Sequence, residues 1–124
     1  MKSVLLALVS LLLTAQTPAT RNVILTWVAS VSTGVVGYNV YRSASPTGPF
    51  GSPLNGTTPV NGLTYTDSTA EIGQTYSYVA TAVAQPCTPG GGSAPCGESP
   101  YSAPSTLTVP PKPAVVVTVT IAVP

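Results

Sequence analysis

The interruption of apolar runs by proline and glycine constrains the fold of this chain most. The sequence has 124 residues and includes 14 Pro and 11 Gly. After residue 15, no segment keeps apolar residues at helical spacing over about ten residues without one of these breakers. Short runs with an apolar residue at every second position occur instead, and turn residues bound them. The pattern predicts an all-β fold.

Five runs have the alternation that is typical of half-buried strands, and their spacing is that of a β-sandwich. They cover residues 22–28, 37–42, 63–67, 75–84 and 106–109. Two sheets packed face to face would bury one side of each run. The core residues predicted in this way are Val23, Leu25, Trp27, Tyr38, Val40, Tyr65, Tyr76, Tyr78, Ala80 and Leu107. Tyr41 and Tyr101 are expected to be partly exposed.

The order of these runs resembles the fibronectin type III family. Val23-Ile24-Leu25-Thr26-Trp27 looks like strand B, residues 37–42 like strand C, residues 64–67 like strand E, and residues 72–83 like the E–F corner and strand F. Glu98-Ser99-Pro100-Tyr101-Ser102 then leads into a strand G. The resemblance implies a two-sheet antiparallel β-sandwich, immunoglobulin-like, over about residues 20–110, in which Tyr76 holds the tyrosine-corner position. Strand A is expected to be short or missing.

The two ends of the chain differ from this central domain. Residues 1–16 have the features of a cleaved signal peptide, because Lys2 precedes an apolar core at residues 4–13 that is short for a membrane span. Residues 17–110 form the predicted domain, and residues 111–124 form a proline-rich linker and an extra β-strand. We therefore expect a secreted or surface-displayed protein, extracellular or periplasmic, with no membrane span after cleavage.

The extra strand is an apolar, β-branched run without charge at residues 114–123. A free strand of this kind is an aggregation hazard, so Val115, Val117, Val119 and Ile121 are expected to pair with something. The strand could fold back on the chain's own strand B or G, or it could add to a neighbouring copy as a donor strand. It could also belong to a linker or to a following domain.

The two cysteines, Cys87 and Cys96, lie in a loop rich in proline and glycine between the predicted strands F and G. An even cysteine count in an exported chain predicts a disulfide. A metal site would need further ligands, and the sequence has no His and no third Cys. We expect a disulfide that staples this loop, no metal and no cofactor.

Charge and side-chain inventory argue against catalysis and against anionic partners. Four basic residues against three acidic ones provide no electrostatic footprint for nucleic acid or anionic lipid. Nucleophilic catalysis usually needs a base such as His, which is absent. Of the carboxylates, Asp67 is expected to cap a turn, Glu71 to be solvated, and Glu98 to lie in the F–G loop. We expect that the protein is not an enzyme.

A non-catalytic interaction or adhesion module is the first functional hypothesis, with a protein or a polysaccharide at the cell surface as its partner. The candidate contact residues lie in the B–C and F–G loops; they are Ser30, Ser32, Thr33, Gly90, Gly91 and Glu98. One alternative is a structural subunit of a fibre or array, assembled by donation of the C-terminal strand. Another is a carbohydrate-binding accessory domain that uses exposed tyrosines.

Overall fold

The computed structural model describes residues 17–85, 97–111 and 117–123. Within these ranges the chain forms strands β1 (Thr20–Val28), β2 (Val35–Ser43), β3 (Thr64–Glu71), β4 (Thr75–Ala84), β5 (Ser105–Thr108) and β6 (Val117–Ala122). Each predicted run overlaps one of the first five strands. The described part of the chain contains no helix long and apolar enough to cross a membrane.

The strands form two three-stranded sheets, ordered β3-β1-β6 and β2-β4-β5. β1 pairs antiparallel with β3, and β4 pairs antiparallel with both β2 and β5. Strands β1 to β5 therefore take the places of strands B, C, E, F and G of the predicted sandwich. The exception to the antiparallel arrangement is β6, which lies parallel to β1.

Strand β6 occupies the position beside β1 where a strand A would normally lie. Its six residues pair with β1 from Val23 opposite Val117 to Val28 opposite Ala122. The C-terminal run was expected to pair within its own chain, to pair with a neighbouring copy, or to belong to a linker or a following domain. The structure shows pairing with the chain's own strand B. Val119 and Ile121 point into the core, while Val115 lies outside the described residues. The tail thus covers the edge that a missing strand A would leave open.

The core is formed by alternate side chains of both sheets, as the period of a strand requires. Val23, Leu25 and Trp27 of β1 face Val40 and residues of β4 across a shared interior. The Trp27 and Tyr38 rings lie 5.5 Å apart between centroids, a distance at which aromatic pairs attract each other. Trp27, Tyr38 and Tyr78 are buried, whereas Tyr65, Tyr76 and Leu107 are partly buried and pack against the same cluster.

The segment just before β3 pairs with the outer edge of β2 and protects it. Tyr38 and Val60 exchange two backbone hydrogen bonds of 3.0 and 2.8 Å, so the segment before β3 continues the sheet for one bridge. Gly37 allows this approach, because a Cβ there would lie 2.7 Å from the Cβ of Pro59. At the β3–β4 corner, Gly73 adopts a φ of +85°, and the Glu71 backbone N–H donates to the Tyr76 hydroxyl at 3.3 Å. The hydrogen bond expected of a tyrosine corner is therefore present.

Candidate functional site

Exposed apolar side chains occur in and beside the loops at the end of the sandwich where β1 leads into β2. Val31 is 97% exposed and Val28 is 68% exposed, while Val36 and Leu63 are each 44% exposed. Leu63 belongs to this group because its carbonyl accepts a hydrogen bond from the Trp27 backbone N–H at 3.1 Å, next to Val28. We call these four residues the apolar end. Residues 28–36 and 60–64, which build it, contain no charged side chain.

A shallow cleft borders the apolar end at Val36. Its lining includes Ser30, Ser32, Val36, Asn61 and Gly62. The Ser30 backbone N–H donates to the Tyr38 hydroxyl at 2.9 Å, and the Ser32 N–H donates to the Ser30 Oγ at 3.2 Å. These hydrogen bonds connect the β1–β2 loop to the core. The backbone on both sides of Val31 is therefore fixed, while the Val31 side chain is exposed.

A second cleft joins the β1–β2 loop to the chain that follows residue 96. Ser32 and Thr33 line one side of it, and Glu98 and Ser99 line the other. The backbone N–H of Ala84 donates to Gly97 at 2.8 Å, which fixes this returning chain against the end of β4. The structure thus brings together Ser32, Thr33 and Glu98 of the predicted contact residues. Cys87, Gly90, Gly91 and Cys96 lie outside the described residues, so their disulfide and contact roles stay predictions.

The Glu98 carboxylate is held against the outer face of the β2-β4-β5 sheet. Its Oε1 atom accepts hydrogen bonds from the Tyr41 hydroxyl, the Thr81 hydroxyl and, at 3.1 Å, the Asn39 amide. Burial alone would raise the pKa of Glu98, but the hydrogen bonds from Thr81, Tyr41 and Asn39 outweigh it and lower that pKa. Glu98 therefore anchors the returning chain, a role that its loop position in the sequence did not suggest.

Tyr41 and Tyr101 meet beside Glu98. Their ring centroids are 5.1 Å apart, and the Phe50 ring lies 5.2 Å from that of Tyr101. The expectation that both tyrosines are partly exposed was wrong for Tyr41, which is only 6% exposed, whereas Tyr101 is 50% exposed. Burial, together with the hydrogen bond to Glu98 and its negative charge, raises the pKa of Tyr41 to about 12. Only the Tyr101 ring of this pair presents a large surface to solvent.

A partly buried ion pair links the two sheets towards the β3–β4 corner. Asp67, which was expected to cap a turn, is 2% exposed and accepts from Arg42 Nη1 at 2.9 Å. Its carboxylate also accepts from the Tyr78 hydroxyl at 2.9 Å, and from the Thr69 backbone N–H and hydroxyl at 2.9 and 2.7 Å. The Arg42 guanidinium in turn lies 4.4 Å from the centroid of the Tyr76 ring. The turn-capping interpretation was therefore incomplete, because Asp67 is the centre of an inter-sheet cluster.

The electrostatics of this cluster favour an ionised Asp67. Burial raises its pKa, but the hydrogen bonds from Thr69 and Tyr78 and the charge of Arg42 together lower it below the usual value. Burial and the adjacent Asp67 charge raise the pKa of Tyr78, which keeps its hydroxyl a donor. Such an arrangement stabilises the contact between the sheets. Among the described residues, no three His, Cys, Asp or Glu side chains come together as a metal-binding group would require.

Neither the protein-family models nor the curated proteins that were compared match this chain. Among solved structures, it is similar to the crystal structure of a Fn3-like protein from Clostridium thermocellum. The two sequences are 26% identical, and the TM-score is 0.52. The similarity covers 77% of this chain and 97% of that one, so nearly the whole of the other protein has a counterpart here.

Proposed function

Because this chain contains a fibronectin type III-like domain, we propose that it is a non-catalytic interaction module that binds a protein partner through the apolar end. The location of most exposed apolar side chains at one end carries the proposal. Of the five large hydrophobic side chains exposed in the described residues, four lie at this end. Single exposed apolar residues are normal on a surface, but grouped ones mark interaction sites.

The chemistry of the apolar end favours a partner surface that is itself apolar and uncharged. Val28, Val31, Val36 and Leu63 would supply buried contact area, and the serine hydroxyls of the β1–β2 loop would supply a polar rim. Without charged residues in the segments that build this end, electrostatic steering would contribute little. We therefore expect association with weak salt dependence.

The test compares capture of proteins from a cell-surface extract of the source organism by the wild-type chain and by a Val31→Ser variant. Val31 makes few contacts of its own, since it is 97% exposed, so its replacement should leave stability within about 0.5 kcal/mol of wild type. We expect a retained protein to be lost with Val31→Ser and kept with Thr66→Ala, a matched change at an exposed site of β3. Equal retention by all three chains would contradict the proposal.

Export and surface display are part of the same proposal. The signal-peptide features of residues 1–16 and the pair Cys87 and Cys96 support it. N-terminal sequencing of the protein isolated from its source should find a start near residue 17. Both cysteines should resist a thiol reagent in the native protein until a reductant is added. A full-length, thiol-reactive protein inside the cell would contradict both expectations.

A polysaccharide ligand is the second candidate, and the half-exposed Tyr101 ring favours it. Aromatic rings of this kind stack on the apolar faces of sugars, and Glu98 lies beside Tyr101 as an acceptor for hydroxyl groups. The burial of Tyr41 leaves a smaller aromatic surface than two exposed tyrosines would give. Retention on insoluble polysaccharides that Tyr101→Ala abolishes would support this candidate, and no retention of the wild-type chain would remove it.

Fibre assembly by strand donation would require β6 to leave its ladder with β1. Six residue pairs and two buried side chains, Val119 and Ile121, hold β6 in its own chain. Size-exclusion chromatography of the full chain should therefore report a monomer. Deletion of residues 112–124 would bare the β1 edge and should produce association, because unpaired edges pair with each other. An oligomer of the full chain that the deletion dissolves would instead favour donation.

A further inference from the structure

The chain contains two Asn-Gly pairs, Asn55-Gly56 and Asn61-Gly62. Their hydrogen bonding in the structure differs. This sequence is the one most prone to deamidation, because the glycine nitrogen that follows can reach the asparagine side chain with no Cβ in the way. Whether the reaction occurs depends on how freely the amide and that nitrogen can move. The two pairs are therefore an internal comparison within one chain.

The Asn55 amide is fully engaged. Its Oδ1 accepts from the Val40 backbone N–H at 2.8 Å, and its Nδ2 donates to Asn39 Oδ1 at 2.9 Å and to the Thr58 carbonyl at 3.0 Å. The Gly56 N–H donates to the Pro53 carbonyl at 3.2 Å. Both reacting groups are therefore held by hydrogen bonds that must break before the side chain can meet the nitrogen.

Asn61 and Gly62 have none of these restraints. Both residues are exposed in a bend that leads into β3, and they line the cleft of the apolar end. Among the described residues, neither the Asn61 amide nor the Gly62 N–H takes part in a hydrogen bond. Gly62 does not have a positive φ, and no heavy atom beyond its two chain neighbours lies within 4 Å of the position that a Cβ would take.

We propose that Asn61 is a site of spontaneous deamidation, which converts the uncharged apolar end into one that carries a carboxylate. The Gly62 nitrogen attacks the side-chain carbonyl carbon of Asn61, and a new C–N bond closes a five-membered succinimide. The bond from that carbon to Nδ2 breaks, and ammonia leaves with the proton of the Gly62 N–H. Solvent water then opens either carbonyl of the ring and leaves an aspartate or an isoaspartate at position 61.

The consequence for recognition rests on the proposed function. A carboxylate at position 61 would lie two residues from Leu63 in the chain and would line the same cleft as Val36. A partner that covers this end with an apolar surface would have to remove water from that charge without a compensating cation, because residues 28–36 and 60–64 include none. Deamidation would therefore weaken binding with the age of the molecule.

The test incubates the full chain at mildly alkaline pH and follows the conversion of each amide to a carboxyl group by mass spectrometry. Both asparagines lie between Arg42 and Lys112, so one tryptic peptide reports both sites, and its fragmentation spectra separate them. We expect Asn61 to react at least about tenfold faster than Asn55 in the folded chain, and the rates to converge in urea as local protection is lost. Equal rates in the folded chain, or a faster Asn55, would overturn the proposal.

A Gly62→Ala variant tests the chemistry itself. The structure has room for the added methyl group, so the fold should be retained, while attack by the residue 62 nitrogen is hindered. We expect the Asn61 rate to fall to about that of Asn55, and an unchanged rate would contradict the succinimide route. An Asn61→Asp variant in the capture experiment reports the consequence for binding. If Asn61 deamidates but neither Asn61→Asp nor Val31→Ser changes capture, the modification stands and the proposed binding surface fails.

Discussion

Towards the corner between β3 and β4, Asp67 accepts four hydrogen bonds in a buried cluster, whereas the opposite end of the sandwich turns four apolar side chains to solvent. In the cluster, polar groups lie inside and satisfy one another. At the apolar end, apolar groups lie outside with no cover among the described residues. The difference teaches that only the first arrangement stabilises the isolated chain, whereas the second is the surface that we propose for binding.

Beneath its exposed side chains, the apolar end should be as tightly packed as the other end of the sandwich. Ile121, which is fully buried opposite Trp27, lies directly under it. We expect Ile121→Ala to lower the free energy of unfolding by about 4 kcal/mol, because a cavity adds to the lost burial. Urea denaturation measures this change. The neighbouring exposed Thr120→Ala removes only a hydroxyl contact with Thr26 and should change stability by no more than about 1 kcal/mol. A similar small loss for both variants would mean that β6 is not docked as described.

The cluster at the other end should be nearly as sensitive. Asp67→Ala would leave Arg42 without its ion-pair partner and the Tyr78 hydroxyl without its acceptor, and we expect a loss of about 3 kcal/mol in urea denaturation. Glu71→Ala removes a carboxylate from the same strand whose side chain has no hydrogen bond among the described residues, and it should change stability little. A double-mutant cycle with Arg42→Met should give a coupling energy of about 2 kcal/mol. Additive effects would show that the pair contributes no mutual stabilisation.

Acid should have the smallest effect, and Asp67 and Glu98 are the carboxylates whose lowered pKa values make the fold sensitive to it. The folded-state pKa of Asp67 is lowered, so the stabilisation is present above the unfolded-state value and is lost as pH falls through the folded one. We expect the free energy of unfolding to decline below about pH 4, and the decline to shrink in Asp67→Asn. Glu98→Gln is the control, because the pKa of Glu98 is lowered too and its share must be separated. An identical acid profile for wild type and Asp67→Asn would exclude this role.

The alternation in the sequence predicted the strands and most of the core. β4 has the predicted bounds, and Trp27, Tyr38 and Tyr78 are buried as their positions in the runs required. The prediction for Tyr41 was wrong, and the reason shows what alternation cannot report. Alternation placed it on the outer face of its sheet, but Glu98 and Tyr101 return over that face from more than fifty residues away. No local pattern around Tyr41 reports this cover.

The candidate site, too, was only partly predictable from the sequence. The sequence indicated the β1–β2 loop and Glu98 as contact residues, since loops at one end of a sandwich share a surface. It did not indicate Val28 or Leu63 as contact residues. Alternation already placed Val28 on the face opposite Trp27, but it placed Leu63 on the same face as the predicted core residue Tyr65. Leu63 lies just before β3, which begins at Thr64, and it is 44% exposed.

By itself, the sequence determined which side chains share a face, because a strand turns successive residues to opposite sides whatever surrounds it. The tertiary structure alone decided what covers each face: it set β6 parallel to β1 in the place of a strand A, and it paired Asp67 with Arg42 across the sheets. It also gave two identical Asn-Gly pairs different surroundings. These outcomes depend on contacts between residues far apart in the chain, and such contacts leave no mark on local periodicity.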